Sequence, residues 1–151
     1  MATAAELTIT EQLEHLRQIA TDRGWLLDVL TGMRFIIRLP AKDNSWYWLL
    51  VDSEDIINQP PAWHWYNPET KELDKKADTA RGDNYFHSSG RICAPWNRLA
   101  YKQCDPEGPH GDWQLANWMT NPDTGSTITL SAMVLRIFHE LNGQHYQGRM
   151  A

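Results

Sequence analysis

Three apolar runs in the first third of the chain constrain its fold more than any other feature. They cover residues 25–30, 33–39 and 46–52, and only short breaks separate them. Each run is rich in β-branched, leucine or aromatic residues, and turn-forming residues lie between the runs, which is typical of strands joined by hairpins. The sequence therefore predicts an antiparallel β-meander, with a fourth, short strand at 62–66.

An amphipathic helix is predicted before the meander, over about residues 10–23. Thr8 and Glu11 have the spacing of a capping box, and Gly24 is a suitable C-terminal stop. The apolar side chains inside the helix fall on one face, so the helix is expected to cover part of the core.

A second helix is predicted near the end of the chain, in the stretch 129–143. Apolar residues recur there at the spacing of a single helix face. Thr129 is placed to cap the start of the helix, and Gly143 to end it. The predicted buried stripe consists of Leu130, Met133, Val134, Ile137, Phe138 and Leu141.

Length and charge narrow the class of protein. The 151 residues fit a single α+β domain, 1–151, with its core at about 8–142 and its helices on one face of a four-stranded sheet. The formal net charge of -5 argues against nucleic acid as a partner, because phosphate binding needs a basic surface. The sequence has neither a membrane-spanning apolar run nor a signal-peptide pattern, so no membrane contact and a cytoplasmic location are expected.

Both cysteines lie in the stretch 86–104, and Cys93 ends the sequence Gly-Arg-Ile-Cys. In a reducing compartment two cysteines are expected as thiols, and a thiolate is a strong nucleophile. From the residue alone, a half-buried structural cysteine is the commoner role, while Arg91 would favour a reactive thiolate. Cys104 is expected to be a bystander, the alternative being a second thiol that caps or resolves Cys93.

Zinc binding competes for the same side chains. His87, Cys93, Cys104 and His110 are four residues of the types that bind zinc. Their separations of six, eleven and six residues differ from the close pairs of a zinc knuckle. A small zinc-binding adaptor therefore remains an alternative function.

The order of these features resembles that of the ubiquitin-conjugating enzyme family over residues 8–142. The segment QPPAW, 59–63, is similar to the paired prolines that follow the family's meander. The sequence ending at Cys93 matches the Gly-x-Ile-Cys of the family's catalytic cysteine, and Trp118 precedes the capped helix as in the family. The chain departs from the family in a longer insert between Cys93 and Trp118 and in lacking both His-Pro-Asn and the later helices. It is thus most similar to the noncanonical bacterial branch, which is encoded alongside a ubiquitin-like protein and an activating enzyme.

This resemblance implies a reaction. Cys93 would accept the C-terminal carboxyl of a ubiquitin-like protein as a thioester from an activating enzyme, and would pass it to an amine of a target protein. The reaction implies no metal or organic cofactor, since ATP is used only by the activating enzyme. The alternative within the same fold is a module that binds a ubiquitin-like protein without conjugating it.

Several residues are candidates for supporting roles at this cysteine. His87 and Asn84 stand where the family has His-Pro-Asn, and one of them is expected to assist attack by the amine. Asn84 or Asn97 would hold the oxyanion. His110 and Asp112 would fold over the cysteine and polarise the incoming amine. The alternative for each is a local role in stabilising a loop.

Four tryptophans have neighbours that are typical of loops, namely Trp63, Trp65, Trp96 and Trp113. They are expected either to lie in the core or, in part, to line a groove beside the cysteine. In such a groove the tail of a ubiquitin-like protein would bind in an extended conformation.

The predicted first helix carries Glu11, Glu14 and Arg17 on its outer face. The resemblance implies that an activating enzyme docks on this helix. The alternative is a solvated helix face without a partner.

Overall fold

The structure is a computed structural model that describes residues 3–83 and 85–150. It is an α+β fold with an N-terminal helix, a four-stranded antiparallel sheet and a C-terminal helix, as the sequence predicts. The helices are α1 (Ala4–Arg23) and α2 (Leu130–Leu141), and the strands are β1 (Leu26–Val29), β2 (Arg34–Pro40), β3 (Trp46–Asp52), β4 (Ala62–Trp65), β5 (Ala80–Gly82) and β6 (Tyr146–Arg149).

The main sheet is the predicted meander, because β1 to β4 lie side by side in chain order and each pair is antiparallel. On one face, Phe35 pairs with Val51 and Ile37 pairs with Leu49, and all four side chains are fully buried. Alternation along the strands places these residues toward the core. The same buried cluster contains apolar side chains from both helices, so the sheet and the two helices share one core.

Helix α1 begins six residues earlier than the predicted start at about Thr10, and Thr8 and Glu11 lie inside it. The capping box is formed instead by Thr3 and Glu6, which have the same spacing. Ala4 and Ala5 favour helix, so the earlier of the two equivalent signals is used. Gly24 ends the helix in the left-handed conformation, as predicted.

Helix α2 matches its prediction closely. The Thr129 hydroxyl accepts a hydrogen bond from the backbone N–H of Ala132 at 3.2 Å. The predicted stripe is buried except for Phe138, which is half-buried and packs against Trp25. The helix is capped by Asn142 rather than Gly143, and the Asn142 side chain donates to the carbonyl of Pro40 at 3.0 Å.

The strands β5 and β6 form a second sheet that the sequence does not reveal. Both strands are short, polar and contain glycine, so neither has a strand-like apolar pattern. Buried hydroxyl groups tie β6 to the main sheet, since the Tyr146 hydroxyl lies 2.7 Å from that of Tyr47 and donates to Asp43 at 2.9 Å. The end of the chain is therefore part of the fold.

The tryptophans divide between core and site. Trp63 and Trp65 are 1% exposed and lie in the core, which is one of the two alternatives expected for them. Alternation along β4 turns both toward the core, where Trp63 packs edge-on against Phe35 and Trp96.

In the described ranges 3–83 and 85–150, no helix has both the length and the apolar character to cross a membrane.

Candidate active site

A tight hairpin presents Cys93. Phe86 and Ile92 form an antiparallel bridge, and the backbone N–H of Cys93 donates to the carbonyl of Tyr85 at 2.8 Å. The turn of the hairpin requires Gly90, whose φ of 87° is a conformation that other residues rarely adopt. Because Tyr85 and Cys93 face each other across the ladder, their side chains lie on the same side of the hairpin.

A second segment brings His110 to this hairpin. Tyr101 and His110 form a parallel bridge, in which the backbone N–H of His110 donates to the carbonyl of Ala100 at 3.0 Å. The approach is tight at Gly108, where a Cβ would come within 2.7 Å of the Tyr101 carbonyl carbon. A larger residue at Gly108 would therefore push this segment away and displace His110.

The side chains of Cys93, His110 and Asp112 form a line of hydrogen-bonding groups. Nε2 of His110 lies 3.1 Å from Sγ of Cys93, and Nδ1 of His110 lies 3.2 Å from Oδ1 of Asp112. A carboxylate only accepts hydrogen bonds, so it selects the tautomer that carries its proton on Nδ1. Nε2 is then free to accept the proton of the thiol, which is the arrangement of a nucleophile, a base and an orienting group.

The environment of Cys93 keeps its thiol protonated. Burial raises the pKa of the Cys93 thiol, and the negative charge of Asp123 raises it further. A protonated thiol is a poor nucleophile, so the reaction requires a base that removes the proton as the bond forms. The imidazole of His110 lies where such a base is needed.

The thiol opens into a cavity of about 320 Å3 with aromatic walls. The His110 ring stacks on Trp113 with 3.5 Å between ring centroids and an interplanar angle of 8°. This stacking fixes the plane of the imidazole and so the direction of Nε2. The cavity is lined by Tyr85, Cys93, Ala94, Pro95, Trp96, His110, Trp113, Asp123 and Arg136.

Asn97 holds the cysteine loop to the sheet. Its side chain is fully buried, and Oδ1 accepts from the backbone N–H groups of Trp63 at 3.1 Å and Leu99 at 3.2 Å. Its Nδ2 donates at 2.9 Å to the carbonyl of Ile92, the residue immediately before Cys93. The predicted oxyanion donor is thus engaged with the backbone that positions the nucleophile.

We expect Asn97→Ala to lower the free energy of unfolding by at least about 2 kcal/mol, because it leaves two N–H groups buried without partners and removes one of the two hydrogen bonds to the Ile92 carbonyl. Asn97→Asp keeps the acceptor for both N–H groups, so its loss should be smaller. Urea unfolding of the two variants and the wild type measures the difference. Equal stability of wild type and Asn97→Ala would contradict this scaffold role.

His87 does not join the line of groups at Cys93. The Nδ1 atom of His87 accepts the backbone N–H of Ser89 at 3.1 Å, within the hairpin turn. His87 lines a different cavity, of about 550 Å3, together with residues of β5 and the C-terminal segment. Asn84 lies outside the described residues.

Cys104 and Arg91 are not in the cavity either. Cys104 is an exposed free thiol. Partial loss of contact with water and the nearby Asp105 raise its pKa, and Arg98 opposes them. Nε of Arg91 donates to Oδ2 of Asp105 at 2.6 Å. Burial alone would raise the pKa of Asp105, but this hydrogen bond and one from Glu107 outweigh it, so the pKa lies below its usual range. Arg91 therefore stabilises the loop through its ion pair with Asp105.

The four residues considered for zinc are not assembled as a metal site. Cys93 and His110 meet, whereas His87 lines another cavity and Cys104 is exposed. Within residues 3–83 and 85–150, no three His, Cys, Asp or Glu side chains form a group able to hold a metal ion.

We expect Asp123→Asn to speed alkylation of Cys93 at neutral pH. The Asp123 carboxylate disfavours the thiolate, so neutralising it lowers the thiol pKa and increases the thiolate fraction below that pKa. Asp123 is exposed and its charge is screened, so the gain should be less than about tenfold.

Rates of iodoacetamide alkylation between about pH 7 and 11, in a Cys104→Ala background, measure this effect, because the raised pKa of Cys93 lies above the ordinary thiol value of 9.0. The midpoint of the rate profile should move to lower pH in Asp123→Asn. Glu14→Gln makes the same charge change on the exposed face of α1 and should leave the midpoint in place. A midpoint that rises in Asp123→Asn would contradict the assigned influence of this carboxylate.

Sequence reasoning missed three cavity residues that carry a polar or charged group, namely Tyr85, Asp123 and Arg136. Arg136 lies on the exposed side of α2, pairs with Glu140 and stacks over the Tyr85 ring at 5.1 Å. Its position in helix α2 makes it look like an ordinary solvated charge. Neither Tyr85 nor Asp123 has a sequence signal that separates it from other loop residues.

Fold and site together define an α+β protein in which a cysteine thiol lies against a histidine that has a carboxylate partner. No protein-family model, curated protein or solved structure matches the chain.

Proposed function

We propose that this chain carries an acyl group as a thioester on Cys93, in the manner of a ubiquitin-conjugating enzyme. The carboxyl would come from the C-terminus of a ubiquitin-like protein, delivered by an activating enzyme, and the acceptor would be an amine of a protein substrate. The observation that carries the proposal is the 3.1 Å contact between Sγ of Cys93 and Nε2 of His110 in an open cavity. The order of helix, four-stranded meander, cysteine loop and helix supports it.

Both half-reactions use the same two side chains. In charging, Sγ of Cys93 attacks the thioester carbonyl of the activating enzyme, the old C–S bond breaks, and His110 passes the thiol proton to the departing thiolate. In discharge, the amine nitrogen attacks the new thioester, the C–Sγ bond breaks, and the ammonium proton leaves through His110. Neither step requires a metal or an organic cofactor, and ATP is consumed only by the activating enzyme.

The proposal is tested by mixing this chain with an activating enzyme and a ubiquitin-like protein of the noncanonical bacterial branch, together with ATP. On a non-reducing gel we expect a band whose mass equals the sum of the two proteins. The band should disappear on reduction and should be absent when ATP is omitted. Complete absence of a reducible adduct with an active activating enzyme would overturn the proposal.

The line from Cys93 through His110 to Asp112 also favours a second candidate function, hydrolysis of acyl bonds that are not activated beforehand. A cysteine hydrolase uses the same three roles to cleave an amide or ester without ATP. Release of a fluorophore from a glycine-terminated aminocoumarin amide by the chain alone would favour this function. A ubiquitin-like adduct that requires ATP would favour conjugation.

The partner surface on α1 leads to a further prediction. Glu11 and Glu14 are exposed, so Glu11→Lys, Glu14→Lys should leave the melting temperature nearly unchanged. If an activating enzyme docks here, charging should become slower and more sensitive to salt, because reversed rim charges mainly reduce the rate of encounter. The initial charging rate at two salt concentrations measures the effect.

The control is Glu69→Lys, Glu72→Lys, which makes the same charge change in the exposed turn after β4. This control should charge at the wild-type rate. Equal charging by the α1 variant and the control would place the docking surface elsewhere.

A further inference from the structure

Tyr85, which lines the cavity, carries a hydroxyl group without a hydrogen-bond partner among the described residues. Its oxygen is buried and has no hydrogen-bond partner in the described part of the chain. A buried hydroxyl without a partner costs folding free energy, so such a group is expected to serve a ligand or a reaction. Tyr85 lines the same cavity as Cys93 and lies opposite it across the hairpin ladder.

Acyl transfer at Cys93 passes through a tetrahedral intermediate whose oxygen carries a negative charge, and that oxygen needs a donor. Enzymes with a cysteine or serine nucleophile often use the backbone N–H of the nucleophile or of the next residue. Here the N–H of Cys93 donates to the carbonyl of Tyr85, and the N–H of Ala94 donates to that of Ile92 at 3.1 Å. Both of the usual backbone donors are thus occupied.

Several side chains nearby already have hydrogen-bond partners. Nδ2 of Asn97 donates to the carbonyl of Ile92, and the Arg136 guanidinium pairs with Glu140 at 3.0 Å. Nε2 of His110 faces the thiol as an acceptor. Among the described residues that line the cavity, Tyr85 carries the buried donor that has no partner.

The Tyr85 ring is held in place before any substrate arrives. It packs against Phe86 with 5.0 Å between ring centroids and against Trp96 with 6.3 Å, while Arg136 covers one face. Burial raises the pKa of Tyr85 well above its ordinary value although Arg136 opposes this, so the hydroxyl keeps its proton. A fixed and protonated donor stabilises a developing charge without reorganisation.

We propose that the Tyr85 hydroxyl donates a hydrogen bond to the oxyanion formed during acyl transfer at Cys93. This inference rests on the proposed acyl chemistry of Cys93, but it does not depend on which acyl donor the protein uses. Tyr85 is then a catalytic residue that takes the part usually played by a backbone N–H or an asparagine.

The test compares two reactions of the same thiol in a Cys104→Ala background. Acylation by p-nitrophenyl acetate forms an oxyanion, whereas alkylation by iodoacetamide is a direct displacement that forms none. Tyr85→Phe should slow acylation by a factor on the order of 10² and leave alkylation unchanged. Its melting temperature should not fall, because no hydrogen bond is removed.

Tyr47→Phe is the matched control, since it removes a buried hydroxyl that has a partner and that belongs to a residue outside the lining of the Cys93 cavity. It should lower the melting temperature and leave the ratio of acylation to alkylation unchanged. An unchanged ratio in Tyr85→Phe would overturn the inference, and so would an equal loss in both reactions, which would mean that Tyr85 only positions the thiol. If ester acylation depends on Tyr85 while charging by the activating enzyme fails, the inference stands and the proposed function falls.

Discussion

Replacing Cys93 with alanine should abolish the reducible adduct completely, whereas Cys104→Ala should charge at close to the wild-type rate. Cys93 lies 3.1 Å from the imidazole of His110 and opens into the cavity. Cys104 is exposed in a turn, outside the set of cavity residues. The measurement is the amount of adduct on a non-reducing gel with activating enzyme, ubiquitin-like protein and ATP.

Cys93→Ser sharpens this test because the hydroxyl takes the place of the thiol with little change in size. An acyl group transferred to serine forms an ester, which resists thiol reductants but is cleaved by base. A weak adduct that survives reduction would therefore mark residue 93 as the attachment point. An adduct that persists in Cys93→Ala and vanishes in Cys104→Ala would move the nucleophile to Cys104.

The parts of the fold that the sequence predicts are those with a repeating pattern. The meander follows from three apolar runs with short breaks, and α2 follows from a stripe with a threonine cap. The sequence predicts the wrong start for α1 because it contains two Thr-x-x-Glu capping signals, which begin five residues apart at Thr3 and Thr8. The structure shows that the signal at Thr3 is the one that caps the helix. The strands β5 and β6 have no apolar pattern from which they could be predicted. They are stabilised by pairing with each other and by the contact between Tyr47 and Tyr146.

The sequence indicated candidate residues for a site but not the geometry that brings them together. The motif around Cys93 indicated the nucleophile, and His110 with Asp112 was expected to fold over it, which the contacts agree with. The distance between Cys93 and His110 depends on the Tyr101–His110 bridge and on the close approach at Gly108. Neither feature repeats along the sequence, so no periodicity argument finds them.

Asn97 is a residue whose burial and hydrogen bonds the sequence does not predict. Its residue type and its place after the cysteine suited an oxyanion donor, yet its amide is buried and bonded to backbone on three sides. Which loop residue becomes buried depends on how the loop packs beside β4. One contact that fixes this packing is the hydrogen bond from the Arg98 N–H to the Pro61 carbonyl at 2.9 Å. The sequence alone does not specify such contacts.

Removing the base should produce the second large effect. We expect His110→Asn to slow thioester formation on Cys93 at neutral pH by a factor on the order of 10² or more, as is typical of a lost general base. The thiol pKa is raised by burial and by Asp123, so few molecules carry a thiolate without help from the imidazole. Initial rates of charging, measured between pH 6.5 and 9.5, give the size of the effect.

The pH dependence separates a base from a structural role. Above the raised pKa of Cys93 the thiol ionises without His110, so the deficit of His110→Asn should shrink steadily as the pH rises. Asp112→Asn should cost much less, under about tenfold, because this carboxylate is 79% exposed and its interaction with His110 is screened by water. His139→Asn, on the exposed side of α2, is the matched control and should charge normally at every pH. A His110→Asn deficit that stays constant from pH 6.5 to 9.5 in a normally folded variant would mean that His110 shapes the cavity rather than removing the thiol proton.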